Sequence, residues 1–159
     1  MDTAFRKINI DKYDEDILLP AELYDPDPRT PAQVLADARQ KSAAVRACLT
    51  RGDIAGALAV ALDQYPYGEG VDEAKALTLS TVLLILNSTK TADIGPLVRT
   101  LTQDQQDTLM KYLYKGMALQ ATGDQADVTG SVMLGWHGGL TDVAGVGCIG
   151  RVMTDRRTV

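Results

Sequence analysis

Three features of this 159-residue sequence predict an all-α fold. Apolar residues recur at helical spacing between short turns that contain Gly, Pro or Thr. Aromatic residues make up only 5% of the chain, whereas Ala and Leu are abundant, which favours close-packed helices over a sandwich of strands. No segment recurs at a constant spacing, so a regular tetratricopeptide or HEAT array is not indicated. We therefore expect an irregular α–α superhelix of about six to seven helices with an extended N-terminal segment.

The first 29 residues are predicted to be an extended acidic tether and linker, separate from a helical core domain at residues 30–159. Residues 1–28 hold eight acidic and three basic residues, a net charge of −5, whereas the remaining residues hold thirteen of each. Prolines recur and no helical period is sustained. One interpretation is a solvated tail. The other is a segment that becomes ordered on a partner, because Phe5, Ile8, Ile10 and Tyr13 space apolar side chains along it.

Two helices are predicted at the start of the core domain from their capping residues. Thr30 caps the first, Pro31 occupies its first position, and Gly52 follows its end. Asp53 caps a shorter helix that ends before Pro66. The apolar faces consist of Val34, Leu35, Ala38, Val45, Cys48 and Leu49 in the first helix and Ile54, Leu58, Ala61 and Leu62 in the second.

Residues 74–88 are predicted to form the central helix. Residues 82–86 are apolar on every side, whereas a surface helix would show a polar face, so we expect neighbours to enclose this helix. Asp72 is expected to cap it, with Glu73 in the first turn. A buried strand over residues 82–86 is the alternative, although the flanking Ala, Lys and Leu favour a helix. Polar residues interrupt the run too often for the ~20 apolar residues of a membrane span.

Four further helices are predicted in the C-terminal half. The first covers about residues 93–101, with Pro96 in its first turn. Thr102 and Gln105 form a capping box for the second, which Gly116 is expected to end. The third covers about residues 127–141 and the last about residues 147–153. In the third helix, the candidates for packing are Val128, Val132, Leu134 and Trp136, and the residues expected to weaken it are Gly135, Gly138 and Gly139.

One short motif suggests a cofactor site. Residues 145–150 satisfy the pattern G-x-G-x-x-G, which marks dinucleotide-binding sites when a strand precedes it and an acidic residue follows ~20 positions later. No strand is predicted before it, and only nine residues follow it. A tight turn between two helices explains the glycines better.

No residues in the sequence form a recognisable catalytic or metal site. His137 is the only histidine, and no other ligands stand at an ordered spacing around it, so we expect a half-buried polar residue. No nucleophile elbow accompanies it. Cys48 and Cys148 fall at apolar helical positions and are interpreted as small core residues in a reducing compartment. We therefore predict no enzymatic activity, no cofactor and no metal.

The charge and hydropathy patterns also exclude some partners. No basic face typical of a nucleic-acid-binding protein is present. The N-terminus lacks the apolar core of a signal peptide. A soluble, intracellular protein without nucleic-acid or membrane partners is expected. The function is therefore expected to lie in surface contacts. In the block LMKYLYKG, Tyr112 and Tyr114 could each pack in the core or face a partner, and periodicity does not distinguish the two positions.

Three blocks of this sequence resemble a known family. FRKINIDKYDED near the N-terminus, LMKYLYKGM at residues 109–117 and WHGGLTDVAGVGCIGRVMTDRRTV at residues 136–159 closely resemble subunit 5 of the actin-related protein 2/3 complex. The blocks stand in the family's order, and the GDIAGAL turn and the apolar central helix are similar too. The sequence departs from the family pattern in the linker at residues 15–30 and at Gly138 and Gly139, where we expect a shorter helix.

The resemblance implies a non-catalytic subunit of a seven-part assembly that nucleates branched actin filaments, located in the cytoplasm with the actin cytoskeleton. The helical core is expected to dock on subunit 4 and on subunit 1, a β-propeller, and the N-terminal segment to tether actin-related protein 2; actin filaments are bound through the complex. The expected tether residues are Phe5, Ile8, Ile10, Tyr13 and Asp14. The expected core contacts are Tyr112, Tyr114, Lys115, Trp136, Arg151 and Val159.

Two other functional classes remain open at this point. One is a free-standing helical adaptor that binds peptides or partner helices in a superhelical groove. The other is a nucleotide-binding enzyme that uses Gly145 to Gly150. An obligate subunit should expose a large apolar patch when isolated, whereas a free adaptor should be a well-behaved monomer.

Overall fold

The computed structural model describes residues 19–121 and 129–159 of the chain. These residues contain seven α-helices and no β-strand. Two short 3-10 turns, Pro20–Leu23 and Thr91–Asp93, accompany them. The helices are α1 (Pro31–Thr50), α2 (Ile54–Leu62), α3 (Asp72–Ser88), α4 (Ile94–Thr100), α5 (Gln103–Ala121), α6 (Gly130–Ala144) and α7 (Gly147–Thr154). The predicted all-α class is therefore confirmed.

The helices share one continuous core. α1 packs against α2 and α3, α5 packs against α6 and α7, and α4 packs against α6. All seven helices contribute buried apolar side chains, and Val159 joins the same core from beyond α7. A smaller cluster of Val34, Ala38, Val71 and Ala74 joins the starts of α1 and α3. Burial of this apolar surface is the main term that stabilises such a fold.

Local capping interactions begin three helices where the sequence predicts them. Thr30 Oγ1 accepts a hydrogen bond from the N–H of Gln33, whose side-chain oxygen accepts the N–H of Thr30 at 2.9 Å. The Asp53 carboxylate accepts a first-turn N–H of α2 at 2.8 Å. Thr102 and Gln105 form a second reciprocal box. Each cap satisfies N–H groups that the first turn leaves without helical partners.

The central stretch of the sequence is a helix, α3, and the strand alternative is wrong. Ile85 and Leu86 have no exposed surface. Leu84 is 42% exposed, so the expectation of a helix enclosed on every side is wrong at that position. The expected Asp72 cap is also wrong, because Val71 is the N-cap and Asp72 lies inside the first turn. There its carboxylate still favours the positive end of the helix.

The predicted end of α5 at Gly116 is wrong, because the helix continues to Ala121. Gly116 lies on α5 opposite side chains of α3 and α6. A β-carbon at this position would lie 2.8 Å from Sδ of Met133 and 3.2 Å from Cδ2 of Leu83. Glycine here provides space for neighbouring side chains, which is a tertiary requirement and not a stop signal.

The boundaries and the buried face of α6 differ from the prediction. The helix begins at Gly130 and continues to Ala144 in spite of its three internal glycines. Leu134, a predicted packing residue, is 64% exposed, whereas Met133 and Leu140 are fully buried together with Trp136. Val128 and the predicted start of the helix lie outside the described residues. Packing of this face against α4 and α5 outweighs the low helix propensity of glycine.

Alanine substitution at two adjacent glycines of α6 should change the free energy of unfolding in opposite directions. A β-carbon at Gly139 would lie 2.7 Å from Cγ2 of Ile94, a stiff β-branched side chain on α4, whereas nothing lies within 4 Å of a β-carbon at Gly138. We expect Gly139→Ala to lower the free energy of unfolding by about 1 kcal/mol, because overpacking outweighs the gain in helix propensity.

The matched variant, Gly138→Ala, should raise the free energy of unfolding by about 0.5–1 kcal/mol, because only the propensity gain remains. Urea denaturation followed by circular dichroism measures both. Equal effects of the two substitutions would contradict the close contact between α4 and α6.

Residues 24–29 lie against the helical domain. The Tyr24 and Tyr67 rings meet edge to face with their centroids 6.1 Å apart. Arg29 binds the carboxylate of Asp27 at 2.6 Å and donates to the carbonyl of Gln64 at 3.3 Å. The hydrogen bond from Arg29 holds the pKa of Asp27 below its usual range. The division into a tether at residues 1–29 and a core domain at residues 30–159 stays a prediction.

Candidate interaction surface

Two of the residues predicted to contact partners, Tyr112 and Trp136, lie in the core of the chain. Neither has exposed surface. The Trp136 Nε1–H donates to the carbonyl of Leu86 at 3.2 Å, which joins α6 to the end of α3. Neither side chain therefore offers surface to a partner, and both belong to the buried core.

Three other predicted residues lie on a face formed by α5, α7 and the C-terminal segment, residues 155–159. Tyr114 is half-buried, and its hydroxyl oxygen lies 3.2 Å from Nε2 of His137. His137 is itself half-buried, as predicted. Lys115 is exposed, whereas Val159 keeps 7% of its surface exposed. The two tyrosines that periodicity could not distinguish are therefore separated by the structure, with Tyr112 inside and Tyr114 at the surface.

Arg151, the remaining predicted contact, is held within the chain. Its guanidinium donates two hydrogen bonds to the carboxylate of Asp107, at 2.6 and 2.8 Å, which joins α7 to α5. Burial raises the pKa of Asp107, but the hydrogen bonds from Arg151 and Cys148 outweigh it, and the net pKa is lowered. Burial also raises the pKa of the Cys148 thiol to about 12. A thiol that stays protonated is a poor nucleophile, so this cluster is structural.

The sequence reasoning missed the role of Lys111, which holds the C-terminal segment on α5. Its ammonium group donates to the carboxylate of Asp155 at 2.6 Å, to the carbonyl of Arg157 at 3.0 Å and to the hydroxyl of Tyr65 at 2.7 Å. The Lys111 side chain is only 8% exposed. No local signal in the sequence indicates this role, because Asp155 and Tyr65 lie 44 and 46 residues from Lys111.

A groove of about 310 Å³ lies between α5, α7 and the C-terminal segment, and we name it the α5–α7 groove. Its lining includes Tyr114, Lys115, Ala118, Val152, Met153 and Val159. The structure thus brings three predicted contact residues together in one depression. Met153, which the sequence reasoning did not select, stands in its wall and is 64% exposed.

A larger groove, of about 660 Å³, lies between residues 27–29, the connection from α2 to α3 and the start of α5. None of the predicted contact residues lines it. Its lining mixes acidic and basic side chains, and Arg29 in its wall is already paired with Asp27 and Asp37. This groove therefore presents charges of both signs to a ligand.

The glycine motif at residues 145–150 forms the turn between α6 and α7. Gly145 has φ +76°, a left-handed conformation that favours glycine, and Gly147 already begins α7. A helix, not a strand, precedes the motif, so the dinucleotide-binding alternative is contradicted. The expected helix–helix turn is confirmed.

Metal-ligand clusters and membrane-spanning helices are both absent from the described part of the chain. Residues 19–121 and 129–159 contain no group of three or more His, Cys, Asp or Glu side chains that could hold a metal ion. Among the helices of these two ranges, none combines the length and the apolar character needed to cross a bilayer. The predicted tether residues, Phe5, Ile8, Ile10, Tyr13 and Asp14, lie outside the described residues.

Removal of the Tyr112 hydroxyl should not destabilise the chain. This hydroxyl is buried, and it has no hydrogen-bond partner among the described residues. Burial raises the pKa of Tyr112, so the group stays a neutral phenol. We expect Tyr112→Phe to leave the free energy of unfolding unchanged or to raise it by up to about 1 kcal/mol. A loss of more than about 1 kcal/mol in urea denaturation would show that the hydroxyl has a partner.

The sequence is similar to known proteins over almost its whole length. Residues 4–159 match the family described as the ARP2/3 complex 16 kDa subunit, p16-Arc. Actin-related protein 2/3 complex subunit 5 of Saccharomyces cerevisiae is 34% identical over 161 residues, covering 100% of both chains. Subunit 5-C of Xenopus laevis is 34% identical and covers 98% of this chain and 94% of its own. The human subunit 5-like protein is 30% identical and covers 100% and 97%, respectively. This chain belongs to the family of the 16 kDa subunit of the ARP2/3 complex.

Proposed function

We propose that this chain is a non-catalytic structural subunit of the actin-related protein 2/3 complex that supports nucleation of branched actin filaments in the cytoplasm. The observation that carries the proposal is the match over residues 4–159 to a family described as a subunit of that complex. Family membership also agrees with the prediction that the chain is not an enzyme.

The helical core docks, in this proposal, on subunits 4 and 1 through the face that contains the α5–α7 groove. Support comes from the convergence of Tyr114, Lys115 and Val159 on this groove and from the exposed Met153 beside them. Large exposed apolar side chains next to a depression are typical of a protein–protein contact. Arg151 contributes by joining α7 to α5, and Tyr112 and Trp136 contribute to the core of the domain.

The assembly is tested by gentle native purification through a tag, with the co-purifying chains identified by mass. The tag belongs at the N-terminus behind a long linker, because Val159 is buried. Two actin-related proteins and a β-propeller subunit in fixed stoichiometry are expected. A monomeric chain without these partners would contradict the proposal and favour the free-standing adaptor.

The N-terminal segment, in the same proposal, tethers actin-related protein 2 through Phe5, Ile8, Ile10, Tyr13 and Asp14. Deletion of residues 1–18 is then expected to weaken retention of actin-related protein 2 in the purified complex by about tenfold or more, because the linker supplies effective concentration. The free energy of unfolding of the helical domain should change by less than about 0.5 kcal/mol, because the capped helices all follow residue 30.

The deletion is compared with the full chain in two measurements, urea denaturation of the free chain and quantification of co-purified actin-related protein 2. A large loss of stability, or undiminished retention of that protein, would contradict a tether.

A further inference from the structure

We propose that the α5–α7 groove binds a segment of a partner subunit in which an apolar side chain is flanked by carboxylates. The apolar side chain enters between Met153 and Val159, and the carboxylates pair with Lys75 and Lys115. The inference rests on the proposed function, and it specifies the chemistry of the partner that the core domain binds.

The walls of the groove account for the apolar part of this segment. Ala118, Val152, Met153 and Val159 supply apolar lining on three sides, from α5, α7 and the C-terminal segment. Met153 is a flexible and polarisable side chain that adapts to the shape of an incoming group, and 64% of it is exposed. A volume of about 310 Å³ is sufficient for one or two large side chains but not for a whole helix.

Two lysines beside the groove account for the carboxylates. Lys75 on α3 donates to Oγ1 of Thr158, which lines the groove, at 3.4 Å. Within residues 19–121 and 129–159, neither Lys75 nor Lys115 forms an ion pair. Asp72 is close enough to Lys75 to act on it electrostatically, but no ion pair joins the two within the described residues.

The two lysines also act on each other. Burial lowers the pKa of Lys75, the negative charge of Asp72 opposes this, and the positive charge of Lys115 adds to it, so that the net pKa is lowered. Repulsion from Lys115 therefore adds to the cost of burying the charge of Lys75 in the free chain, and Asp72 does not fully offset that cost. An acidic group supplied by another chain would relieve this repulsion, so charge complementarity selects an acidic partner.

Three other cations of the chain are paired with carboxylates. Lys111 is bound by Asp155, Arg151 by Asp107, and Arg29 by Asp27. These three cations are neutralised by carboxylates of the same chain, whereas Lys75 and Lys115 form no ion pair within the described residues and are available to an external anion. A free phosphate would satisfy the charges but not the apolar walls, which favours a polypeptide segment.

The position of the segment is tested by site-specific photocrosslinking in the assembled complex. One full-length chain carries p-benzoylphenylalanine in place of Met153, and the matched control carries it in place of Leu134, which is equally exposed at 64% but lies on α6 away from the groove lining. The Met153 probe should crosslink to a partner segment that has Asp or Glu within a few residues of the crosslinked position. The Leu134 probe should not reach that segment.

The role of the Lys115 charge is tested with three variants, each of which competes with the wild-type chain for incorporation into the complex. Lys115→Glu should lower incorporation by about tenfold or more, because it sets like charges against each other, whereas Lys115→Arg should retain it. Arg46→Glu, an equal charge reversal at an exposed position of α1, should incorporate like the wild type. Thermal melting of each free chain verifies that folding is unchanged.

The outcomes separate this inference from the proposed function. A wild-type chain that assembles, together with a Met153 probe that crosslinks only within its own chain or to a segment without carboxylates, would overturn the groove inference alone. Equal incorporation of the Lys115→Glu and Arg46→Glu variants would overturn it as well. A wild-type chain that captures no subunit of the complex would overturn the proposed function and this inference together.

Discussion

Replacement of Trp136 by alanine is expected to lower the free energy of unfolding by about 3–5 kcal/mol. Trp136 is the largest fully buried side chain in the described part of the chain. Its removal leaves a cavity between α6 and the end of α3, and it also removes the hydrogen bond from Nε1 to the carbonyl of Leu86. A loss of this size is a large fraction of the stability of an ordinary domain.

The measurement is urea denaturation of the full chain, followed by far-ultraviolet circular dichroism. Leu134→Ala is the matched control, because Leu134 lies two residues earlier on the same helix and is 64% exposed. Its effect should stay within about 0.5 kcal/mol. A loss below about 1 kcal/mol for Trp136→Ala would contradict the packing of α6 against α3.

The order of the helices and most of their starts could be predicted from the sequence because capping is a local interaction. Thr30 with Gln33, and Thr102 with Gln105, satisfy each other's backbone groups within four residues. Gly52, at φ +76°, ends α1 for an equally local reason. Rules that depend on three or four neighbouring residues need no knowledge of the tertiary fold.

Apart from the local error at the Asp72 cap, the wrong predictions depend on contacts between residues far apart in the chain. Gly116 resembles a helix stop locally, but Met133 and Leu83 require its small size. Leu134 resembles a packing residue, but Met133 occupies the buried face instead. Tyr112 and Tyr114 belong to one motif, and only the packing of α5 against its neighbours decides which is buried. Periodicity gives the faces of a helix but not the face that its neighbours cover.

The same contrast between local signals and contacts of distant residues applies to the candidate surface. Tyr114, Lys115 and Val159 were selected by membership in motifs, and the structure places all three at the α5–α7 groove. Lys111 was not selected, because its importance depends on Asp155 and Tyr65, which lie 44 and 46 residues away. A side chain whose function is to hold another segment in place is recognised only when that segment is seen beside it.

Replacement of Lys111 by methionine should detach the C-terminal segment from α5. Methionine keeps the apolar stem but removes three hydrogen bonds and leaves the Asp155 carboxylate, 29% exposed, without its main partner. We expect a loss of about 2–3 kcal/mol. This is below the roughly 3–5 kcal/mol of a fully buried ion pair, because solvent screens part of the charge. Urea denaturation measures the loss, and hydrogen exchange should become faster in residues 155–159.

The matched control is Lys115→Met, one turn later on the same helix. Lys115 is exposed and forms no ion pair within the described residues, so this variant should change the free energy of unfolding by less than about 0.5 kcal/mol. Similar losses in the two variants would contradict a specific role for Lys111. Unchanged hydrogen exchange at residues 155–159 in Lys111→Met would contradict the docking of the C-terminal segment through this side chain.

A fall in pH should reduce the stability of the Lys111→Met and Lys115→Met variants to different extents. Burial raises the pKa of Asp155, but the hydrogen bonds from Lys111 and from the backbone of Arg157 outweigh it and lower the pKa below the unfolded value of about 3.9. A lowered folded pKa gives stability that is present above about pH 4 and is lost as the pH falls through the folded pKa. Lys111→Met lacks most of this contribution already at pH 7, so its stability should fall less steeply below pH 4 than that of the wild type or Lys115→Met. Parallel pH profiles for all three chains would show that the Lys111–Asp155 pair does not stabilise the fold.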